Sequence, residues 1–207
     1  MSASREHWEQ VYQARQHDEV SWYQAHPATS LRFIEASGLP RDAPIVDVGG
    51  GASRLVDCLL ERGFNDLTVI DVAPSALQQA RARLGERADG VDWIEADVTA
   101  FSPSRRYHLW HDRAVFHFLV TDEARAAYLA ALRAGLAPGG TLVLAAFATG
   151  GPRRCSGLPV RQYDGPTLCA EFGDEFELLD ATRTVHHTPG DIEQLFAWFR
   201  LRRRGLS

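Results

Sequence analysis

The segment IVDVGGGASRLVDCLLERGFNDLTVIDVAPSALQQARARLG, residues 45–85, sets the architecture. It opens on an apolar run, Ile45–Val48, that stops at three glycines. A short apolar run bounded by turn residues predicts a buried strand. Leu55, Val56, Leu59 and Leu60 then recur at helical spacing, with Gly63 placed to cap the helix C-terminus. The run LTVIDV, residues 67–72, predicts a second strand. Pro74 opens a second helix in which Leu77, Ala80 and Leu84 share a face before Gly85 ends it. Strand, helix, strand and helix in this order predict parallel strands covered on both faces.

Outward from this segment the alternation continues. VDWIEADV (91–98) and RYHLWHDR (106–113) predict a third and a fourth strand. TDEARAAYLAALRAGL predicts a helix with Thr121 or Asp122 at its N-cap, and LAPGGTLVLAAFA predicts a turn and a fifth strand. Right-handed crossovers make this an α/β, doubly wound sheet. The end differs: FELLDATRTVHH, a TPGD turn and IEQLFAWFRLRRR predict a hairpin that sets the last strand antiparallel at or near the sheet edge. Residues 150–163, rich in Gly, Pro and Arg, predict a surface loop near the site.

The chain has 207 residues, 45% hydrophobic and 24% charged, which fits one globular domain over residues 1–207. Residues 1–38, with Trp8, Tyr12, Trp22 and Tyr23, are expected to form an N-terminal helical lid. No apolar run reaches the ~20 residues of a membrane helix. The polar start lacks the apolar stretch of a secretory signal, so a cytoplasmic protein is expected. Cys58, Cys155 and Cys169 form no CxxC pair or metal-ligand spacing, which suits reduced thiols. His108, His111 and His117 match no ligand pattern either, so no metal is expected. A net charge of -5 and a pI near 5.9 argue against binding nucleic acid by bulk charge. The C-terminal arginines read as a solvent-facing strand side. All 22 basic residues are arginine, which removes lysine Schiff-base and lysine general-base chemistry. The expected partner is a small-molecule substrate, with no membrane and no nucleic acid, for a monomer or weak dimer.

In a doubly wound sheet, ligands sit at the C-terminal strand ends. Gly49 and Gly51 stand there, permitting positive φ and close approach to the backbone, and Ser53 takes the place of the usual third glycine. Asp71 ends the second strand, where an acid accepts hydrogen bonds from ribose hydroxyls. This fits a nicotinamide dinucleotide or S-adenosylmethionine. Asp47, two residues before Gly49, suits the ammonium of a methionine moiety. Asp97 suits an adenine amino group, with Val98 packing on the ring, and LAPGG precedes the fifth strand. Any one acid reads equally as a loop cap, but three at successive strand ends form a set. A dinucleotide enzyme also needs a substrate domain for which the chain has no room.

VDVGGGAS, VIDV, EADV and LAPGG resemble the successive motifs of the class I S-adenosylmethionine-dependent methyltransferases, over roughly residues 40 to 205. The resemblance implies a seven-stranded, mostly parallel sheet with an antiparallel last strand, and S-adenosyl-L-methionine as cofactor. It implies cofactor contacts from Asp47, Gly49, Gly51, Asp71, Asp97 and Val98, a set that Trp22 and Val72 join.

The strand end WHDRAVF delivers His111, Asp112 and Arg113 to the place where the class transfers its methyl group, and His117 follows. It is similar to small bacterial enzymes of the thiopurine methyltransferase type, which carry an Asp-Arg pair there. Lysine methyltransferases of translation factors share the layout but carry Lys-Gly or Glu-Gly, which argues against a protein lysine. Arg113 suits a thiolate or a substrate carboxylate; His111 and His117 read as bases or as hydrogen-bonded core residues. Asp112, Arg113, His111 and His117 are thus the catalytic candidates. The expected function is methyl transfer to a small-molecule nucleophile such as a thiol. The alternatives are a protein (lysine) methyltransferase, a cofactor-binding module without turnover and a nicotinamide-dependent oxidoreductase.

Overall fold

Each apolar run of the sequence becomes a strand whose alternate side chains feed two cores. The computed structural model describes residues 3–14 and 18–205; residues 1–2 and 15–17 of the expected lid lie outside these. The elements are α1 (Ala3–Ala14), α2 (Ala28–Glu35), β1 (Ile45–Val48), α3 (Leu55–Glu61), β2 (Leu67–Asp71), α4 (Pro74–Leu84), β3 (Val91–Glu95), β4 (Tyr107–Arg113), α5 (Asp122–Gly135) and β5 (Leu136–Phe147). There follow β6 (Arg154–Cys155), β7 (Leu158–Pro159), α6 (Gly165–Phe172), β8 (Phe176–His187) and β9 (Glu193–Arg203).

Seven strands form one sheet in the order β3-β2-β1-β4-β5-β9-β8, and β6 pairs with β7 alone. The pairs from β3 across to β5 are parallel, while β9 runs antiparallel to both β5 and β8. The last strand is therefore inserted beside the edge, and β8 is the edge itself. The pleat sorts the side chains. Val46, Val48, Trp110, Leu142 and Leu144 pack with Tyr128 and Leu132 of α5 and Phe172 of α6. Ile45, Val69, Leu109, Val143 and Phe147 pack on the other face with α2, α3 and α4. Because both faces are covered, the central strands read as continuous apolar runs.

Local signals behave as their chemistry dictates. Thr121 Oγ1 accepts from Ala124 N–H and caps α5, and Pro74 opens α4. The LAPGG turn lies inside β5 as an irregularity: Tyr107 pairs with Leu136, but Leu109 pairs with Thr141. Among the described residues no helix is long and apolar enough to cross a membrane.

Candidate active site

The loop after β1 can only be built with glycine. Gly49 has φ +66, and a Cβ there would lie 2.1 Å from Val115 Cγ2. Gly51 has φ +40, and its Cβ would lie 2.6 Å from Asp71 Oδ2 and 3.0 Å from Tyr12 Oη. The loop is clamped from α4: Arg83 donates to the carbonyls of Ala52 and Ser53 at 2.9 and 2.7 Å and pairs with buried Asp57 at 2.7 Å. Ser53 Oγ accepts from Leu55 N–H at 3.1 Å. The clamp joins residues far apart in sequence, and no local pattern announces it.

Beyond the loop a main cavity opens over the C-terminal strand ends. Its walls include Gly49, Asp71, Val72, Asp97, Val98 and Trp22 of the expected cofactor set. Asp71 is buried at the end of β2, and its Oδ1 accepts from Ala73 N–H at 2.9 Å. Burial pushes its carboxyl up to about 7. Asp97 Oδ1 accepts from the backbone N–H and the hydroxyl of Thr99, at 2.9 and 2.7 Å. Gly51 is not on the wall but beside Asp71. The roof comes from the N-terminal segment: Trp8 and Tyr12 of α1, and Trp22 of the strap that leads to α2. Trp8 meets Trp22 and Phe118 edge-on at 5.6 and 5.0 Å. Glu9 fastens α1 by accepting from Ser75 N–H and Oγ–H, at 3.2 and 2.9 Å, at the N-terminus of α4.

A second, smaller cavity continues behind the loop, and Trp22, Gly49 and Arg113 are common to both. Asp47 and His111 line it; they are register partners on β1 and β4 and face the same side. His111 Nδ1–H donates to Asp47 Oδ1 at 2.7 Å, and its Nε2 meets Ser30 Oγ at 3.0 Å. Both ring nitrogens are engaged.

The pleat separates Asp112 from Arg113. Asp112 faces α5, is 0% exposed, and accepts from Val115 and Phe116 N–H at 2.9 and 3.1 Å. Burial pushes it up to about 6, and it lines neither cavity. Arg113 lines both; its Nη1 donates to Trp22 O at 2.8 Å, and its guanidinium lies 5.2 Å from the Phe196 ring. His117 is also 0% exposed and lines neither cavity; Phe147 N–H donates to its Nδ1 at 3.3 Å. Burial holds it neutral, with its pKa down to about 3. The structure thus brings Arg113 to the cavity with the cofactor set, and keeps Asp112 and His117 in the core.

The remaining wall comes from residues that no motif marked: Phe147 of β5, Cys155 of β6, and Gln194 and Phe196 of β9. Cys155 lies in the expected site loop, the one signal available. His186 does not line the cavity; its Nε2–H donates to Ser21 O at 2.7 Å, while its register partner Gln194 does the lining.

A family model described as "Methyltransferase domain" matches residues 45–140. The mouse protein named EEF1A lysine methyltransferase 2 is 26% identical over 129 residues, covering 55% of this chain and 50% of its own. The chain spans half or less of the first curated relatives it matches. A structure of an S-adenosylmethionine-dependent methyltransferase from Anabaena variabilis superposes with a TM-score of 0.75 at 15% identity, covering 99% of this chain and 96% of that one. The 1,6-didemethyltoxoflavin-N1-methyltransferase of Burkholderia thailandensis, solved with 1,6-didemethyltoxoflavin and S-adenosylhomocysteine, gives 0.72 at 22% identity over 98% and 88%. Glycines that admit Asp71, with Asp71 and Asp97 on the wall of the main cavity and Asp47 on that of the second, set the expected cofactor residues around two adjoining cavities. The domain match begins at Ile45 and runs through the glycine loop, so residues 45–140 are similar to a methyltransferase domain, and the whole chain shares the fold of the methyltransferase structures on which it superposes.

Proposed function

We propose that the chain transfers a methyl group from S-adenosylmethionine to a small-molecule nucleophile, a thiol or comparable soft acceptor suiting it best. The observation that carries this reading is the roof. Trp8, Tyr12 and Trp22 cover the main cavity and leave an end walled by Phe118, Phe147, Cys155 and Phe196. Such an end suits a compact acceptor, with residues 1–38 acting as a lid that keeps water out.

In this reading Asp71 accepts from the ribose hydroxyls, and Asp97 with Val98 meets the adenine. Asp47, oriented by His111, takes the ammonium, while Gly49 and Gly51 give backbone room. Bound there, S-adenosylmethionine supplies a methyl group already activated on a sulfonium. The chain's task is then alignment and exclusion of water. His111 turns its nitrogens to Asp47 and Ser30 and lines only the second cavity, and His117 has its lone pair taken and lines neither, so among the described residues no histidine faces the acceptor end. An acceptor that ionises unaided fits this lack of a base. The likeness of Asp112-Arg113 to the thiopurine methyltransferase type supports the same choice. The proposal extends to a cytoplasmic protein acting as a monomer or weak dimer, without nucleic acid.

A second reading, protein lysine methylation, is favoured by the name of the mouse relative. A lysine must shed a proton before it attacks, and the acceptor end offers neither a carboxylate nor a free histidine. Incubation with labelled donor and a panel of thiols, amines, phenols and elongation-factor protein, read by mass spectrometry, tests these readings. Methylated thiol is the expected product. Labelled polypeptide without small-molecule product overturns the proposal in favour of the second reading. Micromolar binding of S-adenosylhomocysteine with no product from any acceptor reassigns the chain as a cofactor-binding module. No binding of S-adenosylhomocysteine overturns the donor assignment.

A further inference from the structure

The main cavity has two carboxylates on its wall, Asp71 and Asp97, both at its β2–β3 end. The other end, toward β5 and β9, is aromatic, and its one charge is Arg113. Among the described residues, only Nη1 of that guanidinium has a partner, the carbonyl of Trp22; Nε and Nη2 are buried and have none. These two nitrogens form one edge of the guanidinium, the side-on fork that receives anions. Among the described residues Arg113 forms no ion pair. Asp47, the carboxylate whose charge acts on it most strongly, is hydrogen-bonded to His111 instead. A half-buried cation with two buried, unmet donors lacks an anion.

Two anions are available to a methyltransferase of this kind: the donor's carboxylate and the acceptor. The second cavity has a guanidinium of its own for the first. Arg54 lines only that cavity, and its Nε is also buried without a partner. Arg113 instead leans on Phe196, a residue of the main cavity alone, with Cys155 on the same wall. An acceptor end without a base needs a reacting atom that arrives already deprotonated. We propose that Arg113 is the anion receptor of the acceptor end, and that the acceptor binds there as an organic thiolate with its sulfur on the Nε–Nη2 edge. This inference rests on the small-molecule reading above.

The step balances without a base. A lone pair of the thiolate sulfur forms the bond to the methyl carbon. The bond from that carbon to the sulfonium breaks, and its electron pair stays on the donor sulfur. An anion and a cation become two neutral thioethers, and no proton moves. The methylated product no longer pairs with Arg113, which favours its release. Cys155 does not compete as a nucleophile, because burial raises its pKa and keeps it a thiol.

The test uses thiophenol, sized to the aromatic walls, and needs no turnover. The protein is saturated with S-adenosylhomocysteine, and ionisation of bound thiophenol is followed by thiolate absorbance against pH. Bound thiophenol is expected to titrate at least about one pH unit below the free thiol. Arg113→Gln abolishes the shift and Arg113→Lys keeps part of it. Both variants bind S-adenosylhomocysteine within about threefold of the parent, which also shows that they fold. Failure of thiophenol to bind, or a shift that survives Arg113→Gln, overturns the proposal. So does a loss of S-adenosylhomocysteine affinity beyond about tenfold in Arg113→Gln with methylthioadenosine unaffected, since that assigns Arg113 to the donor's carboxylate. If the parent does not bind S-adenosylhomocysteine, the donor assignment fails instead, and the two failures are distinguishable.

Discussion

Asp71 stands 7% exposed at the tip of β2, and burial pushes its carboxyl up to about 7 despite the bond from Ala73 N–H. In an unfolded chain it titrates near ~3.9. Between these values the folded protein keeps a proton that the unfolded chain releases. The group's stabilising contribution is therefore full below about pH 4 and is lost as pH rises through about 7. Asp71→Asn should then raise the melting temperature of the ligand-free protein at pH 8, by roughly 2–4 °C per kcal/mol relieved, with little effect near pH 4. Ligand binding runs the other way, because ribose hydroxyls donate best to an ionised carboxylate. Affinity for S-adenosylhomocysteine should climb from pH 6 to pH 8 in the parent. In Asp71→Asn it should be flat and about 10–100-fold weaker, each charge-assisted bond being worth ~1.5–3 kcal/mol. Scanning fluorimetry and calorimetry at three pH values decide it; a variant that melts lower at pH 8 and binds normally refutes the assignment. The place of Asp71 was legible from its spacing to the glycines. Its protonation was not, because the burial comes partly from Tyr12 on a separate helix. Asp112 and Arg113 teach the converse. Their opposite facing follows from the alternation along any strand, which reading them as a joined pair passes over.

The element that closes the cavity, α1, is held by few bonds rather than by a broad apolar stripe. Trp8 packs against a small cluster of Tyr12, Ala52, Ala73 and Ala76, outside the two main cores. Glu9 ties α1 to Ser75, Gln79 donates to Tyr12 O at 2.9 Å, and Arg5 pairs with Glu95. Glu9 places a carboxylate at the N-terminus of α4, where the helix dipole favours it by about 0.3–1 kcal/mol. Glu9→Gln should therefore loosen α1 alone. Amide exchange over residues 3–14 is expected to quicken roughly 5–30-fold for ~1–2 kcal/mol lost, with the sheet unchanged and S-adenosylhomocysteine leaving faster. Exchange that quickens equally in β1 and β4 would show that α1 is part of the global unit and no separate lid. Helix α1 itself was legible, but its docking was not, since single polar contacts between distant segments leave no periodicity. The strands were legible because each is a local apolar run. The turn expected at LAPGG became an irregularity within β5, where Leu136 still finds a partner in Tyr107.

At the scale of the molecule, the cavity is assembled from three groups of elements: the β1–β4 tips with the turn after β4, the wall of β5, β6 and β9, and the N-terminal roof. The first was readable as motifs; the second depends on β9 inserting between β5 and β8, a pairing that only long-range closure decides. Trp198 shows what secures that insertion. It is 2% exposed on β9, stacks on Phe33 of α2 at 6.1 Å, and donates through Nε1 to Thr184 Oγ1 of β8 at 3.0 Å. Trp198→Ala should cost about 3–5 kcal/mol, which lowers the melting temperature by roughly 6–20 °C for a chain of this size. Trp198 lines neither cavity. Its loss should thus leave binding intact, and distant effects add. S-adenosylhomocysteine at ~100 times its Kd stabilises the native state by about 2.7 kcal/mol, roughly 5–11 °C here. That increment should be the same in parent and variant, because the ligand acts only on the folded form. An increment that vanishes in Trp198→Ala would mean that the rear of β9 shapes the acceptor wall through Phe196, and the site would then have to be understood as coupled to the strand's packing rather than resting on it.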